Sequence, residues 1–593
     1  MTKKLLLGNE AIARGAWEAG THVISSYPGT PSTEVTEYCA NYKEMYTEWA
    51  VNEKVALEVS AGASVGGART MCCMKHVGVN VAADPLFTAS YTGVNGGMLL
   101  VCADDPGMHS SQNEQDSRMY ARSAHVPMLE PASSQECKDF TKVAFDISEQ
   151  FDVPVMLRTT TRIAHARSMV TLDERVDVPV RDYEKNSSKY VMMPAMARPR
   201  HVVVEARMKA LAEYAGKSPL NHIVEGADGS NQLGIICSGT AYQYVREAMP
   251  EATILKLGIV HPLCREQIEA FAQSVERLIV IEELEPVIEE QIAAWGIAVS
   301  GKELTGRQGE LSVTKVKQIF GKEAPATQSV VGLPGRPPVM CAGCPHRGPY
   351  TVLTKLRCHV TGDIGCYTLG ALAPLNALDT TLCMGASVGM AQGITRARGT
   401  EFGQKTVAVI GDSTFLHSGV PSLISAAYNA SPITLMILDN TITGMTGHQP
   451  NPNTGKDIHG DAALKIDLEQ LCYGCGVKRV RKVDAFDLEA LEQAVREELS
   501  ADEPSVIIAH RPCALLNKKK LPAYEILESR CKHCMQCMKL SCPAINRKDG
   551  RVWIEKNQCV GCGMCVQTCK FSAIEKVSNE SKDSANEKEG TQA

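Results

Sequence analysis

The sequence predicts a multidomain α/β protein with three parallel-sheet units and a small α+β module near its C-terminal end. Three observations carry this expectation. Short apolar runs alternate with helix-like stretches along most of the chain, 593 residues are too many for one hydrophobic core, and eight of the 23 cysteines crowd between Cys531 and Cys569. With about 100–200 residues as the usual domain size, roughly three to five units are expected.

The first unit is expected over 1–165. Leu5-Leu6-Leu7 runs into Gly8-Asn9-Glu10-Ala11-Ile12-Ala13, and His22-Val23-Ile24-Ser25-Ser26 into Tyr27-Pro28-Gly29, the strand, turn and helix rhythm of a parallel sheet. Residues 96–104 (GGMLLVCAD) and 152–158 (DVPVMLR) are further buried-strand candidates. Over 166–200 periodicity fades while charge and proline rise, as in a linker. A second parallel sheet is expected within 201–332, from 233–238 (LGIICS), 253–257 (TILKL) and 278–282 (LIVIE). The stretch 332–338 (GLPGRPP) reads as a connection into a third unit over 333–522, with strands at 406–410, 433–438 and 505–509. The cysteine-dense module follows over 523–576. Residues 577–593 are polar, lack aromatics and should be disordered.

Composition narrows the function classes. A net charge of −6 gives no electrostatic reason to expect nucleic acid or an anionic membrane as partner. The first seven residues carry two lysines and three leucines, too few apolar positions for a secretory signal, and no run of about 18 apolar residues is free of charge. A cytoplasmic chain is therefore expected, and there reduced cysteines act as metal ligands more often than as a disulfide framework.

The cysteine spacing is informative. Cys531-x2-Cys534-x2-Cys537-x4-Cys542-Pro543 is followed by Cys559-x2-Cys562-x2-Cys565-x3-Cys569, and the second run has the bacterial ferredoxin spacing. In such proteins the fourth cysteine of each run ligates the other cluster. Two 4Fe-4S clusters are thus expected, one on Cys531, Cys534, Cys537 and Cys569, the other on Cys559, Cys562, Cys565 and Cys542. The first run has one extra residue before its fourth cysteine, and no proline follows Cys569. Structural zinc, the competing possibility, rarely uses two successive three-cysteine runs of this form.

Gly411-Asp412-Ser413 follows one apolar run, and Leu438-Asp439-Asn440 follows another, with Asn440 28 residues after Asp412. The pair resembles the thiamine-diphosphate signature, with Ser413 where that signature has its second glycine. A hard Mg2+ ion bridging a diphosphate needs oxygen ligands, and Asp412, the Asn440 side chain and the Ile442 carbonyl would serve. Gly411 and the Thr443-Gly444-Met445-Thr446-Gly447 turn would let backbone amides approach the phosphates.

Tyr27-Pro28-Gly29-Thr30-Pro31-Ser32 resembles the YPxTPS motif of the 2-oxoacid:ferredoxin oxidoreductases. The resemblance spans roughly residues 1–575, and GDSTFLHSG (411–419) with TGMTGHQPNP (443–452) points to the indolepyruvate branch of that family. It implies two thiamine-diphosphate-binding domains, a transketolase C-terminal-like domain and a bacterial-ferredoxin-like domain. It also implies cofactor contacts from Tyr27, Pro28, Thr30, Ser413, Thr443 and Gly444. Related enzymes carry the glutamate that hydrogen-bonds the thiamine pyrimidine in a separate domain; here Asn52-Glu53-Lys54-Val55-Ala56 leads into the small-residue helix Ala61-Gly62-Ala63-Ser64, and by its offset from that helix Glu53 is the first choice, with Glu58 second. Cys341, Cys344, Cys366 and Cys513 resemble the ligands of a third, proximal 4Fe-4S cluster. His76, His417 and His448 are candidates for proton transfer or substrate contact.

The family resemblance implies oxidative decarboxylation of an aryl-2-oxoacid such as indolepyruvate to an acyl-CoA, with coenzyme A as acyl acceptor and ferredoxin as electron acceptor. It also implies a hetero-oligomer, a heterodimer with a smaller beta subunit. A non-redox thiamine decarboxylase has no use for the ferredoxin module. A pure electron-transfer scaffold has no use for the metal-diphosphate loop.

Overall fold

The computed structural model describes residues 2–324, 332–335, 337–517 and 521–577; of the tail expected at 577–593, all but Val577 lies outside the described residues. The chain divides into two compact units, Met1–Val331 and Gly332–Ala593. Among the described residues no helix is long and apolar enough to cross a membrane.

The first unit runs from β1 (Lys3–Leu7) through β2 (Val23–Ser26), β3 (Tyr46–Trp49), β4 (Thr70–Lys75), β5 (Met98–Asp104), β6 (Met128–Leu129), β7 (Val155–Thr160), β8 (Arg167–Thr171), β9 (His222–Val224), β10 (Leu233–Ser238), β11 (Thr253–Leu257) and β12 (Ile259–His261) to β13 (Arg277–Ile281). Its main sheet has the order β12-β6-β7-β5-β4-β2-β3. Every residue of β4, β5 and β7 is buried, because helices cover both faces of a parallel sheet and leave no side for water. A second sheet, β13-β10-β11-β9, carries the runs expected at 233–238, 253–257 and 278–282. Its three longer strands are parallel and β9 is an antiparallel edge. Buried ion pairs link elements of the two sheets: Arg118 meets Asp116 and Glu282 at 2.6 Å, and Arg158 meets Asp104 at 2.6 Å and Glu130 at 2.5 Å.

Three expectations change. The Leu5-Leu6-Leu7 run does not enter the parallel sheet; β1 pairs antiparallel with β8, and only Leu6 faces inward strongly enough to be buried. The 166–200 stretch, expected as a linker, carries regular elements: β8, a turn of helix at Ser187–Tyr190 and the start of the helix Pro194–Lys217. Pro194 sits in the first turn of that helix, where a missing N–H costs nothing. That helix docks through Val204, Arg207, Leu211 and Ala215, one stripe at helical spacing. Finally, β12 leaves the 201–332 segment and pairs with β6, extending the main sheet.

The second unit holds a five-stranded parallel sheet, β14 (His359–Thr361), β15 (Thr406–Gly411), β16 (Thr434–Asp439), β17 (Arg479–Asp484) and β18 (Ser505–His510), in the order β14-β15-β16-β18-β17. The runs at 406–410, 433–438 and 505–509 are β15, β16 and β18. The outer β14 and β17 were missed because one is three residues long and the other, Arg-Val-Arg-Lys-Val-Asp, has four charged residues in six. The module after Pro522 forms two antiparallel pairs, β19 (Tyr524–Ile526) with β22 (Ile574–Lys576) and β20 (Ile545–Lys548) with β21 (Arg551–Ile554).

Candidate active site and cluster sites

In the second unit Asp412 begins a helix directly after β15, and Asp439 ends the neighbouring strand β16. Ligands of open parallel sheets bind at such carboxyl ends. Asp412 is 2% exposed. Asn453 donates one amide group to both acids, at 3.0 Å to Asp412 and 2.7 Å to Asp439. Burial, reinforced by the charge of Asp439, pushes the Asp412 carboxyl up to about 7. Burial acts on Asp439 in the same sense, but His510, 2.7 Å away, and Asn453 outweigh it and hold that carboxyl below the usual range. A buried carboxylate facing another lacks a cation, so the donor set fits a divalent ion.

The loop after β16 turns sharply, with Thr441 and His448 in the left-handed region. Asn440 accepts from the Ile442 amide at 3.2 Å, Thr443 donates to the Ser413 hydroxyl at 2.9 Å, and Asn451 donates to Thr443 at 3.2 Å. Gly411 has a packing reason: a Cβ there would lie 2.6 Å from the Tyr367 ring. Gly444 lies by Cys366, whose sulfur would stand 3.5 Å from an added Cβ. His417 is buried on a π-turn, Phe415–Gly419, that precedes Pro421, and its Nδ1 lies 2.5 Å from the Ser418 hydroxyl. A proline cannot donate to the preceding turn, which favours such a widened turn.

Spaced far apart in sequence, Cys341, Cys344, Cys366 and Cys513 come together beside this loop. Burial raises the thiols of Cys344, Cys366 and Cys513; Cys366 and Cys341 raise Cys344 further, Cys513 and Cys341 raise Cys366, and Cys341 raises Cys513. The Cys513 amide donates to the Asn440 carbonyl at 2.9 Å, and His448 Nε2 lies 4.0 Å from the Cys513 sulfur. His448 is thus a neighbour of this thiol group.

The eight C-terminal cysteines divide between two clefts. One is lined by Cys531, Cys534, Cys537 and Cys569, the other by Cys542, Cys559, Cys562 and Cys565. Each cleft takes three thiols from one run and the fourth from the other, and its remaining lining is mostly apolar. Backbone amides already aim at sulfur, His533 at Cys531 and Ala573 at Cys569 at 3.4 Å, and Tyr524 at Cys559 at 3.5 Å. Among the described residues no three His, Cys, Asp or Glu side chains close on a point as for a single ion. Four thiols spread round a void fit an iron–sulfur cluster.

In the first unit, Tyr27, Pro28 and Thr30 form the turn after β2. Glu53 opens the helix Glu53–Val65, whose N-terminus Asn52 caps by accepting from the Val55 amide at 2.9 Å. It is 4% exposed, and a Cβ on Gly78 would lie 2.7 Å from its Oε1, so Gly78 makes room for this carboxylate. Glu58 is exposed and pairs with Lys54 on the helix surface, which separates the two candidates. His76 follows β4, and burial lowers its pKa. The preceding Lys75 is also buried, pushed down to about 8, and donates to the Ser110 carbonyl at 2.6 Å.

Comparison with known proteins follows the same division. Residues 14–222 match the pyruvate flavodoxin/ferredoxin oxidoreductase thiamine-diphosphate-binding family, 363–509 the C-terminal thiamine pyrophosphate enzyme domain, and 552–575 the 4Fe-4S binding domain. With this fold, the chain is a thiamine-diphosphate-dependent 2-oxoacid:ferredoxin oxidoreductase with an iron–sulfur domain. Curated relatives named indolepyruvate oxidoreductase subunit IorA match over nearly the whole chain. The protein of Archaeoglobus fulgidus is 40% identical over 96% of this chain and 97% of its own, and that of Pyrococcus abyssi 40% over 97% of each. That of Methanothermobacter marburgensis is 39% identical over 96% of each. The chain belongs to the indolepyruvate oxidoreductase subunit IorA family.

Proposed function

We propose that this chain, with a smaller beta subunit, oxidises aryl-2-oxoacids such as indolepyruvate. The 2-oxoacid anion and coenzyme A would give the aryl acyl-CoA, carbon dioxide, one proton and two electrons, taken singly by ferredoxin. The observation that carries this reading is the near full-length similarity, at about 40% identity, to relatives named for indolepyruvate. The paired cysteine clefts and the buried Asp412 support its redox and cofactor parts.

When bound, thiamine diphosphate supplies an electron sink for loss of carbon dioxide, and the 4Fe-4S clusters supply one-electron acceptors. The chain's own residues would do the rest. Asp412, Asn440 and the Ile442 carbonyl would hold Mg2+ on the diphosphate. Gly411, Ser413, Thr443 and Gly444 would line the diphosphate turn, and Tyr27, Pro28 and Thr30 the pyrimidine side. Glu53 would hold a proton on the pyrimidine ring, since Gly78 and the Asn52 cap fix its carboxylate. His76 and His417, both buried, are suited to proton transfer, and His448 to the cysteines beside it. Three clusters would be held, on Cys531/Cys534/Cys537/Cys569, on Cys542/Cys559/Cys562/Cys565 and on Cys341/Cys344/Cys366/Cys513.

The test is an anaerobic assay of the chain with its partner, comparing indolepyruvate, phenylpyruvate and pyruvate for coenzyme A-dependent dye reduction. Preference for the aryl acids is expected. Equal or better turnover of pyruvate would overturn the substrate assignment.

A further inference from the structure

Arg347 is among the largest fully buried side chains of the protein, at 1% exposure. It sits just after Cys341-Ala342-Gly343-Cys344-Pro345-His346, in the first turn of the helix Arg347–Leu356. Among the described residues its hydrogen bonds all end on backbone carbonyls. Nη1 donates to Leu540 at 2.9 Å and to Ser541; Nη2 donates to Met340 and, at 3.1 Å, to Cys341; Nε donates to Cys341 at 3.3 Å. One guanidinium therefore clasps the loop of the proximal cysteines and the loop that ends in Cys542, which the extra residue after Cys537 lengthens.

The same group lines the cleft of Cys542, Cys559, Cys562 and Cys565. Burial lowers its pKa, and the charges that raise it are, in order, Cys542, Cys344, Cys562 and Cys341, two from each cysteine set. The loops also pack directly, since a Cβ on Gly343 would lie 2.4 Å from the Val560 side chain. A buried guanidinium satisfied by neutral carbonyls alone is costly unless negative charge stands close by. A guanidinium does not deprotonate in proteins. Thiolate-ligated cubanes on both sides are net negative and become more so on reduction, and nearby charge is one of the levers on their potential.

We propose that Arg347 is the fixed positive charge shared by the proximal site and the Cys542/Cys559/Cys562/Cys565 site, raising the reduction potential of both. This rests on reading those cysteine sets as 4Fe-4S sites. The step it favours is the uptake of one electron by either site, supplied by the oxidative decarboxylation proposed above; the site is reduced by one unit, no bond changes and no proton moves. The third site, on Cys531, Cys534, Cys537 and Cys569, has no contribution to the charge around Arg347 among those that dominate it, and serves as an internal control.

The experiment is a potentiometric titration followed by electron paramagnetic resonance on the full chain with its partner. The signals are assigned beforehand with Cys366→Ser, Cys562→Ser and Cys531→Ser. Arg347→Gln keeps a donor but loses the charge, and Arg347→Lys keeps the charge. In Arg347→Gln the reduced-to-oxidised ratio of the two flanking clusters at a fixed poise should fall roughly tenfold, about 59 mV for a one-electron couple, with the third unchanged. Arg347→Lys should stay near the parent. Unchanged potentials in an iron-replete Arg347→Gln, or an equal shift in Arg347→Lys, would overturn the proposal. Should Arg347→Gln lose iron, an iron-replete Arg347→Lys supports the charge requirement and an iron-depleted one contradicts it. Absence of cluster signals in the parent protein refutes the cluster reading instead.

Discussion

Asp412 and Asp439, at the ends of adjacent parallel strands, share a single amide: Nδ2 of Asn453 donates to both, at 3.0 and 2.7 Å. Two buried acids bridged by one neutral donor fit the cation proposed for this site, and several measurable consequences follow from that geometry and from the cysteine clefts.

Mg2+ binding should depend on pH through Asp412. In the folded, metal-free chain this carboxyl keeps its proton up to about 7, while an unfolded aspartate loses it near about 4. Metal-free stability should therefore fall as pH rises between these values. A cation displaces that proton, so its affinity in the presence of thiamine diphosphate should rise with pH to about 7 and then level off. Calorimetry in buffers of different ionisation enthalpy reads the released proton. Asp412→Asn should abolish both binding and release, and a pH-independent affinity would contradict the assignment.

Asn453→Ala leaves the two acids without their common donor. Orphaned buried acceptors cost on the order of 1–3 kcal/mol, so the metal-free variant should melt several degrees lower, with Mg2+ and thiamine diphosphate recovering part of the loss. An unchanged melting temperature would show that the shared amide is dispensable.

At Glu53, a carboxylate acting on the cofactor should be irreplaceable by an amide. Glu53→Gln is expected to lower kcat by about 10²–10⁴-fold, the usual range for a positioned acid or base. The surface neighbour Glu58→Gln should keep near-parental activity. Gly78→Ala, whose Cβ would strike the Glu53 carboxylate, should cost about 1–3 kcal/mol of stability as overpacking does, with activity falling too. Parental rates in Glu53→Gln would remove the residue from the mechanism.

Iron content tests the cysteine sets. Three 4Fe-4S sites correspond to about twelve irons per chain, and Cys531→Ser, Cys562→Ser and Cys366→Ser should each lower this by about four while leaving the other two signals. Loss of all iron from any one of these variants would show that the sites are not independent.

What could be read in advance follows from the range of the interactions. The ferredoxin-like runs were legible because their ligands lie within a few residues of one another, and the main strands because parallel sheets demand unbroken apolar runs. Asn453 was missed: it reaches Asp412 across 41 residues and Asp439 across 14, and nothing local marks one asparagine in a loop. His510, 71 residues from Asp439, and Arg347, 193 residues from Leu540, act over still longer separations. Within 166–200, β8 was not legible because only Val170 of its five residues is buried and it pairs with the distant β1. The sequence ranked Glu53 ahead of Glu58 by position alone, and burial of the first with the Lys54 pair of the second adds a physical distinction.

The most direct test of the whole account is a single-turnover experiment without ferredoxin. The chain and its partner, anaerobic and loaded with iron, sulfide, Mg2+ and thiamine diphosphate, are mixed with indolepyruvate and coenzyme A, and cluster reduction is followed by freeze-quench electron paramagnetic resonance. Reduced 4Fe-4S signals amounting to about two electrons per acyl-CoA formed are expected. Carbon dioxide release with the clusters still fully oxidised would contradict it.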